Sequence, residues 1–409
     1  MRVRMLFCPK DRFPPFRVDV AVLFGRELSA RGFSIDWVLQ SEKAVKRAFR
    51  TQWAGGTAYV GRTDTGETLP ARLRKHILNI WHDFMILRLA RASSYDIIQV
   101  RDKVVSALIA MRAARRSGAA FIYWLSFPFP ESSLYLARIG AARYPLLYRI
   151  RGWVLFRLLY GFILPRADHI FVQSEQMKSD LAGYGINRSI MTSVPMGVDL
   201  RDFEDLAQHA AVRPGHATVA YLGTLAAERR IDFVVRCFAL VCKEIPGTRL
   251  LLVGDGADPR DRQQIEAEAR RLNVLDSIEI TGMLPRPAAL GRMMEATVCV
   301  SPFYPTPILN STSPTKLIEY MAMGLPVVAN DHPEQQLVLQ ESGAGICVPY
   351  VEEAFAQAII RIIRDPDAAA SMGRGGRAYV AAHRDYQRIA AAVAAEYERI
   401  VSTRRKACS

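Results

Sequence analysis

The chain has 409 residues, 50% of them hydrophobic and 23% charged, and its 54 Lys and Arg against 40 Asp and Glu give a formal charge of +14. These proportions exclude a disordered or fibrous chain and suit two or three globular domains with sizeable cores. The surplus of cations points to an anionic partner: nucleic acid, an acidic membrane surface or a phosphorylated substrate.

In chain order, VRMLFC reads as a first strand and VDVAVLFGRELSARG as an amphipathic helix closed by Gly32. FSIDWVL, YDIIQV and AAFIYWLSF read as further strands, the last two separated by the helical VVSALIAMRAARRSG. DHIFVQS and IMTSVPM continue the alternation to about residue 196. GVDLRDFEDLAQHAAVRPGHA loses the apolar rhythm and reads as a linker over 197–216. A second alternating series then begins at TVAYLG and runs through TRLLLVGDG, SIEITG, ATVCVSPF and LPVVAND to the helix VEEAFAQAIIRIIRDP. A last Ala-rich helix, residues 385–409, follows the C-terminal domain (217–384) and can pack back on the N-terminal domain (1–196). Strand–helix alternation predicts two doubly wound α/β domains, whose ligands bind beyond the carboxyl ends of the strands, in the cleft between the halves.

Cys8, Cys237, Cys242, Cys299, Cys347 and Cys408 include no C-x-x-C pair, which predicts free thiols rather than a disulfide frame or a zinc site. MRVRMLFCPK has an apolar core too short for a signal peptide, and no apolar run reaches the roughly 18–20 residues of a membrane span. A cytoplasmic protein is the expectation.

NSTSPTKLIEYMAMGLPVV, Asn310 to Val328, carries the sharpest local signal. Ser313 suits an N-cap, Pro314 the first helical position and Gly324 the C-terminal cap, so a helix over about Pro314–Met323 is predicted. Leu317, Ile318, Met321 and Ala322 can face a core, with Lys316 and Glu319 together on the other face. A helix start offers free N–H groups to a phosphate, and a carboxylate one turn on can accept from a ribose diol. A surface Glu–Lys pair worth about a few tenths of a kcal/mol explains the same residues. Two further glycine-bearing strand ends support the ligand reading: YLGTLAAERRID puts Gly223 before Arg229 and Arg230, and LLLVGDG supplies Gly254.

The ordered set DHIFVQSEQMKSDLAGYG, VPMGVDLRDF, YLGTLAAERRID, LLLVGDG, ITGMLP and SPTKLIEYMAMGLPVVA resembles the retaining, nucleotide-sugar-dependent glycosyltransferases of family 4, the group 1 transferases of GT-B fold. The resemblance is clearest from about Asp168 to Pro349. It implies that Glu319 holds the ribose, that Arg229 with a nearby arginine binds the donor diphosphate, and that Gly223 opens the donor loop. The helix start at Ser313, Pro314, Thr315 and Lys316 would lie beside the phosphates. Ser311 stands where the family often has a sugar-contacting glutamate, and Thr224 where it has an arginine, a role that Arg230 is expected to assume. Glu334 matches an area of sugar contact. Arg229, Lys316 and Glu319 are the expected catalytic set. Neither metal nor cofactor is expected, because GDGAD reads first as a turn and fixed cations can stabilise the departing phosphate.

Phe127 to Arg166 carries six arginines against one glutamate among aromatic and aliphatic residues. An interfacial helix on an anionic membrane and a buried helix with snorkelling arginines both fit it. The first suits a lipid-linked glycan acceptor and a peripheral location on the inner face of the membrane. Nucleic-acid binding predicts a recognisable module with stacking aromatics, and none is found. A nucleotide-sugar epimerase and a catalytically silent partner of another transferase remain as alternatives to transfer of a UDP- or GDP-linked sugar.

Overall fold

The computed structural model describes residues 3–66, 68–204, 206, 215–256 and 258–408. They divide into two compact units, Met1–Pro195 with Tyr386–Ser409, and Met196–Asp385.

In the first unit the strands are β1 (Val3–Pro9), β2 (Arg12–Phe13), β3 (Phe33–Ser41), β4 (Phe49–Trp53), β5 (Gly56–Gly61), β6 (Ile97–Arg101), β7 (Ala120–Leu125), β8 (His169–Val172) and β9 (Met191–Ser193). Their order is β4-β5-β3-β1-β6-β7-β8-β9, with β2 paired to β3. All pairings are parallel except the β4–β5 hairpin, whose turn residues Ala54 and Gly55 have φ of 52° and 75°, as a tight hairpin turn demands. Apolar residues pack on both faces of this sheet, which is why β1, β6 and β7 read as continuous hydrophobic runs. The helix Tyr386–Cys408 covers one face, burying Tyr386, Val393 and Tyr397, and the Tyr397 hydroxyl donates to Gln99 Oε1 at 2.5 Å.

The second unit has β10 (Thr218–Leu222), β11 (Arg249–Val253), β12 (Ile278–Ile280), β13 (Val298–Ser301), β14 (Val327–Asn330) and β15 (Gly345–Val348), all parallel, in the order β12-β11-β10-β13-β14-β15. The winding direction reverses between β10 and β13, so their carboxyl ends frame a crevice. The two sheets, each flanked by helices, are the doubly wound pair of the GT-B class.

The predicted linker is only partly one. Met196 to Glu204 belong to the second unit: Val198 N–H donates to Arg384 O at 2.9 Å, and Phe203 is buried in the core. Residues 205 and 207–214 lie outside the described set. GVDLRDF looks polar in sequence because its apolar residues, Val198, Leu200 and Phe203, follow no helical or strand period.

Candidate functional site

The Asn310–Val328 stretch forms the helix Thr315–Ala322, one residue shorter at each end than expected. Its C-terminus follows the sequence reading. Gly324 has φ of 71°, its N–H donates to Met321 O, and Leu325 N–H donates to Tyr320 O, which closes the helix. Its N-terminus does not. Ser313 is not the cap: its hydroxyl accepts the N–H of Met196 at 3.0 Å, Pro314 holds the cap position, and no side chain caps the helix. The first N–H groups are therefore left to other partners. The predicted two-faced helix is also corrected, because Leu317 through Ala322, Glu319 included, are all buried.

Lys316 and Glu319 diverge from this helix toward different neighbours. The Lys316 ammonium lies over the Tyr221 ring, 4.1 Å from its centroid, and donates to the Tyr221 hydroxyl. A methyl group on Gly223 would lie 2.5 Å from both Cε and Nζ of Lys316, so the glycine is what admits the lysine against the backbone at the end of β10. Gly223 and Gly254 have φ of 140° and 142°, conformations that L side chains rarely adopt, and a Cβ on Gly254 would collide with the Gly223 carbonyl. Gly223 N–H is tied to Val253 O at 2.9 Å. Burial, and then the Arg229 guanidinium, lower the Lys316 pKa to about 7 against the opposing pull of Glu319.

Glu319 is 7% exposed, and its Oε1 accepts from Arg286 Nη1 at 2.7 Å. Arg286 also reaches Asp202 at 3.4 Å. Glu319 Oε2 has no hydrogen bond among the described residues, so one carboxylate oxygen remains for a ligand while the other is held by a cation.

The other predicted residues separate. Arg229 is exposed on the turn Ala227–Arg229, and among the described residues no carboxylate pairs with it. Arg230, with φ of 52°, is engaged by Asp232 through two contacts of 3.2 Å and lies 5.3 Å from the Tyr304 ring centroid. In this structure its guanidinium is therefore engaged by Asp232, and Thr224 is exposed. Glu334, 4% exposed, is in a buried ion pair with Arg384 at 2.8 Å. That pair ties the helix Pro333–Ser342 to the Val380–Arg384 segment. Ser311 is buried at the end of the short helix Pro307–Asn310. His332 is buried, with Nε2 2.8 Å from Leu309 O and Nδ1 without a hydrogen-bond partner among the described residues.

Sequence reasoning missed Tyr221 and Arg286. Tyr221 carried a signal, since an aromatic one residue before Leu222-Gly223 on a buried strand must place its hydroxyl near the strand end. Arg286 carried none, being 33 positions from Glu319. Among the described residues no group of His, Cys, Asp and Glu could hold a metal ion.

The arrangement gathers a half-buried lysine, an exposed arginine, uncapped helix N–H groups and glycine backbone, groups whose chemistry suits an anion, beside a carboxylate with one oxygen free of hydrogen bonds among the described residues. Residues 216–365 match the family described as Glycosyl transferases group 1, and residues 19–202 match Glycosyltransferase Family 4. The chain belongs to the family 4, group 1 glycosyltransferases. Among relatives of this glycosyltransferase, the alpha-monoglucosyldiacylglycerol synthase of Streptococcus pneumoniae is 24% identical over 69% of this chain, a match that spans 62% of that protein's length. Sucrose-phosphate synthase from Thermosynechococcus elongatus has a similar fold, with a TM-score of 0.73 at 22% identity, covering 98% of this chain and all of that one. Anabaena HepE, solved in complex with UDP-glucose, has a TM-score of 0.64 at 13% identity, covering 97% of this chain and 99% of that one.

Proposed function

We propose that this group 1 glycosyltransferase moves a sugar from a UDP- or GDP-linked donor to a hydroxyl of a lipid-linked glycan acceptor, with retention of anomeric configuration and without a metal ion, in polysaccharide or glycoconjugate biosynthesis. The observation that carries the reading is Lys316, seated between Gly223 and Tyr221 at the end of β10, on the same short helix as Glu319. A diphosphate beside Lys316, Arg229 and the first N–H groups of the helix puts the ribose one turn along, within reach of Glu319 Oε2.

In the reaction the bond from the anomeric carbon to the diphosphate oxygen breaks and the bond to the acceptor oxygen forms. The acceptor proton passes to the departing phosphate. Negative charge grows on that phosphate, so cations fixed beside it lower the barrier more than they tighten the ground state. Lys316 and Arg229 supply these charges. Arg286 holds Glu319 in place and takes no part in the bond changes.

The lipid-linked acceptor and a peripheral position on the inner face of the membrane are supported by the basic, aromatic segment Phe127–Arg166. Its helix Pro145–Leu158 exposes Leu146, Leu147, Ile150, Trp153 and Val154 as one stripe, flanked by Arg149 and Arg151. Among the described residues no helix is long and apolar enough to cross a membrane. The S. pneumoniae relative is, by name, the synthase of a glycolipid.

The test is release of UDP or GDP from a panel of nucleotide sugars, in EDTA, with and without polyprenyl-diphosphate-linked sugars. Release that needs the lipid-linked acceptor is expected. Conversion of the sugar without acceptor identifies an epimerase instead, and no turnover with intact nucleotide binding identifies a silent partner.

A further inference from the structure

The first unit carries a second exposed apolar helix face, outside Phe127–Arg166. Leu73, Ile77, Ile80 and Trp81 of the helix Leu69–Asp83, with Phe84 just after it, recur at spacings of three and four and so fall on one side. They are 63%, 50%, 36%, 76% and 52% exposed, a pattern opposite to that of a helix packed on its core. Isolated exposed apolar side chains are ordinary, but a continuous stripe marks a surface that is covered in use.

The charge on the stripe's own helix is mostly of one sign, and Asp64, just before it, lies 4.0 Å from Arg74. Residues 68–82 contain no Asp or Glu. Asp83, at the helix end, is fully buried and engaged by Lys103 at 2.6 Å and by Ser106. Beside the stripe, a cavity of about 390 Å³ has walls that include Leu78, Trp81, Phe84 and Met85, with Arg62 and Arg88 among its lining residues. Both arginines are exposed, and neither has a carboxylate partner among the described residues. Apolar walls with unpaired guanidinium groups complement a molecule with an acyl chain and a phosphate.

We infer that the face formed by the Leu73–Phe84 stripe and the adjoining Arg62/Arg88 cavity docks on an anionic phospholipid bilayer, the stripe entering the interface and the two arginines binding lipid phosphate. This deepens the peripheral-membrane part of the proposed function and rests on it. A second copy of the chain is a poorer occupant, because two such faces would bring arginines against arginines. An anionic bilayer supplies the missing negative charge, at about fivefold in affinity for each basic residue brought to its surface. The helix Pro145–Leu158 repeats the arrangement, a second apolar stripe flanked by arginines on the same unit.

The experiment is cosedimentation of the full chain with vesicles of phosphatidylcholine alone and with 30% phosphatidylglycerol, at low and high salt. The variants are Trp81→Glu, the pair Arg62→Ala/Arg88→Ala, and Trp153→Glu on the other helix. Binding to the anionic vesicles is expected, weakened by salt and reduced at least tenfold in Trp81→Glu and about 25-fold in the arginine pair. UDP and GDP binding, read by thermal shift, should be unchanged in all three. Wild-type binding by Trp81→Glu and the arginine pair, with loss in Trp153→Glu, overturns the assignment and leaves Pro145–Leu158 as the membrane element. Equal binding to neutral vesicles overturns the phosphate role of Arg62 and Arg88. A concentration-dependent dimer abolished by Trp81→Glu, with no vesicle binding, gives the face to a second copy. Because no readout needs a sugar donor, failure here leaves the glycosyl-transfer reading standing, and failure of that reading leaves this one measurable.

Discussion

The two units end their central strands in opposite ways. At the carboxyl ends of β1 and β6 in the first unit, Arg101 is completely buried, engaged by Asp19 and near Asp102 at 3.7 Å and Asp11 at 4.0 Å. Charge there is met by charge from the protein itself. At the end of β10 in the second unit there is glycine backbone, exposed Arg229, and Lys316 on the Tyr221 hydroxyl and ring, with Glu319 near enough to act on its charge but not paired with it among the described residues. In the first arrangement the cation sits among three protein carboxylates, although only its Nη2 is hydrogen-bonded and its buried Nε and Nη1 have no hydrogen-bond partner among the described residues; in the second, no carboxylate among the described residues is paired with Lys316 or Arg229. The comparison teaches that cationic residues at strand ends do not by themselves mark a binding site. What sets the second strand end apart is that no carboxylate among the described residues pairs with Lys316 or Arg229.

The largest effect is expected in the first unit. Arg101→Met leaves buried Asp19 with only the more exposed Arg17, at 3.1–3.2 Å, to answer it, which should cost about 3 kcal/mol of that unit's stability in urea. Nucleotide affinity should be unchanged. A comparable loss of nucleotide binding would mean that the two strand ends are not independent.

Lys316→Met should cost little stability and weaken pyrophosphate and nucleoside diphosphates alike by about 1.5–3 kcal/mol, ten- to a hundredfold, by calorimetry. Its pH dependence has a definite sign. With a pKa near 7 in the empty site, Lys316 loses its charge as pH rises above 7, so diphosphate affinity should fall by up to tenfold per pH unit. The unfolded lysine keeps its proton to about pH 10, so the empty protein should gain stability over the same range. A flat profile that Lys316→Met shares would remove the lysine from the site.

Asp19 gives the converse profile. Burial pushes its carboxyl up, but Arg101 and Arg17 outweigh it and hold the pKa at about 2. A depressed carboxylate stabilises above its unfolded value near 4 and loses that contribution as pH falls toward 2, about 2 kcal/mol in the first unit's acid unfolding. Arg101→Met should weaken the dependence and leave the part that Arg17 holds. The smallest effect belongs to Arg230→Gln, which breaks an exposed pair with Asp232 and should change stability and nucleotide affinity by less than about 1 kcal/mol. A tenfold loss of affinity would restore Arg230 to the diphosphate site.

What could be read from the sequence was local. The strand–helix alternation, the close of the helix at Gly324 and the glycines at 223 and 254 all follow from short-range periodicity and backbone conformation. What could not be read was set by partners far away in the chain. Ser313 suits an N-cap by type, but the Met196 N–H, 117 positions away, takes its oxygen. Nothing local shows that Glu319 is paired with Arg286, 33 positions away, or Glu334 with Arg384, 50 positions away. The stripe from Leu73 to Phe84 was present in the sequence as an ordinary amphipathic period. Only its exposure distinguishes it from a helix facing the core.

The most direct test of the donor site is calorimetric and thermal-shift binding of UDP, GDP, ADP and pyrophosphate to the wild type and to Glu319→Ala. A nucleotide at about 100 times its Kd adds about 2.7 kcal/mol of stability, well within reach of a thermal shift. The account predicts that one nucleotide class stabilises the wild type, that Glu319→Ala loses at least tenfold in affinity for it, and that pyrophosphate binds both proteins equally. Equal nucleotide affinity in the two proteins, or equal losses for nucleotide and pyrophosphate, would contradict the division of labour between Lys316 and Glu319.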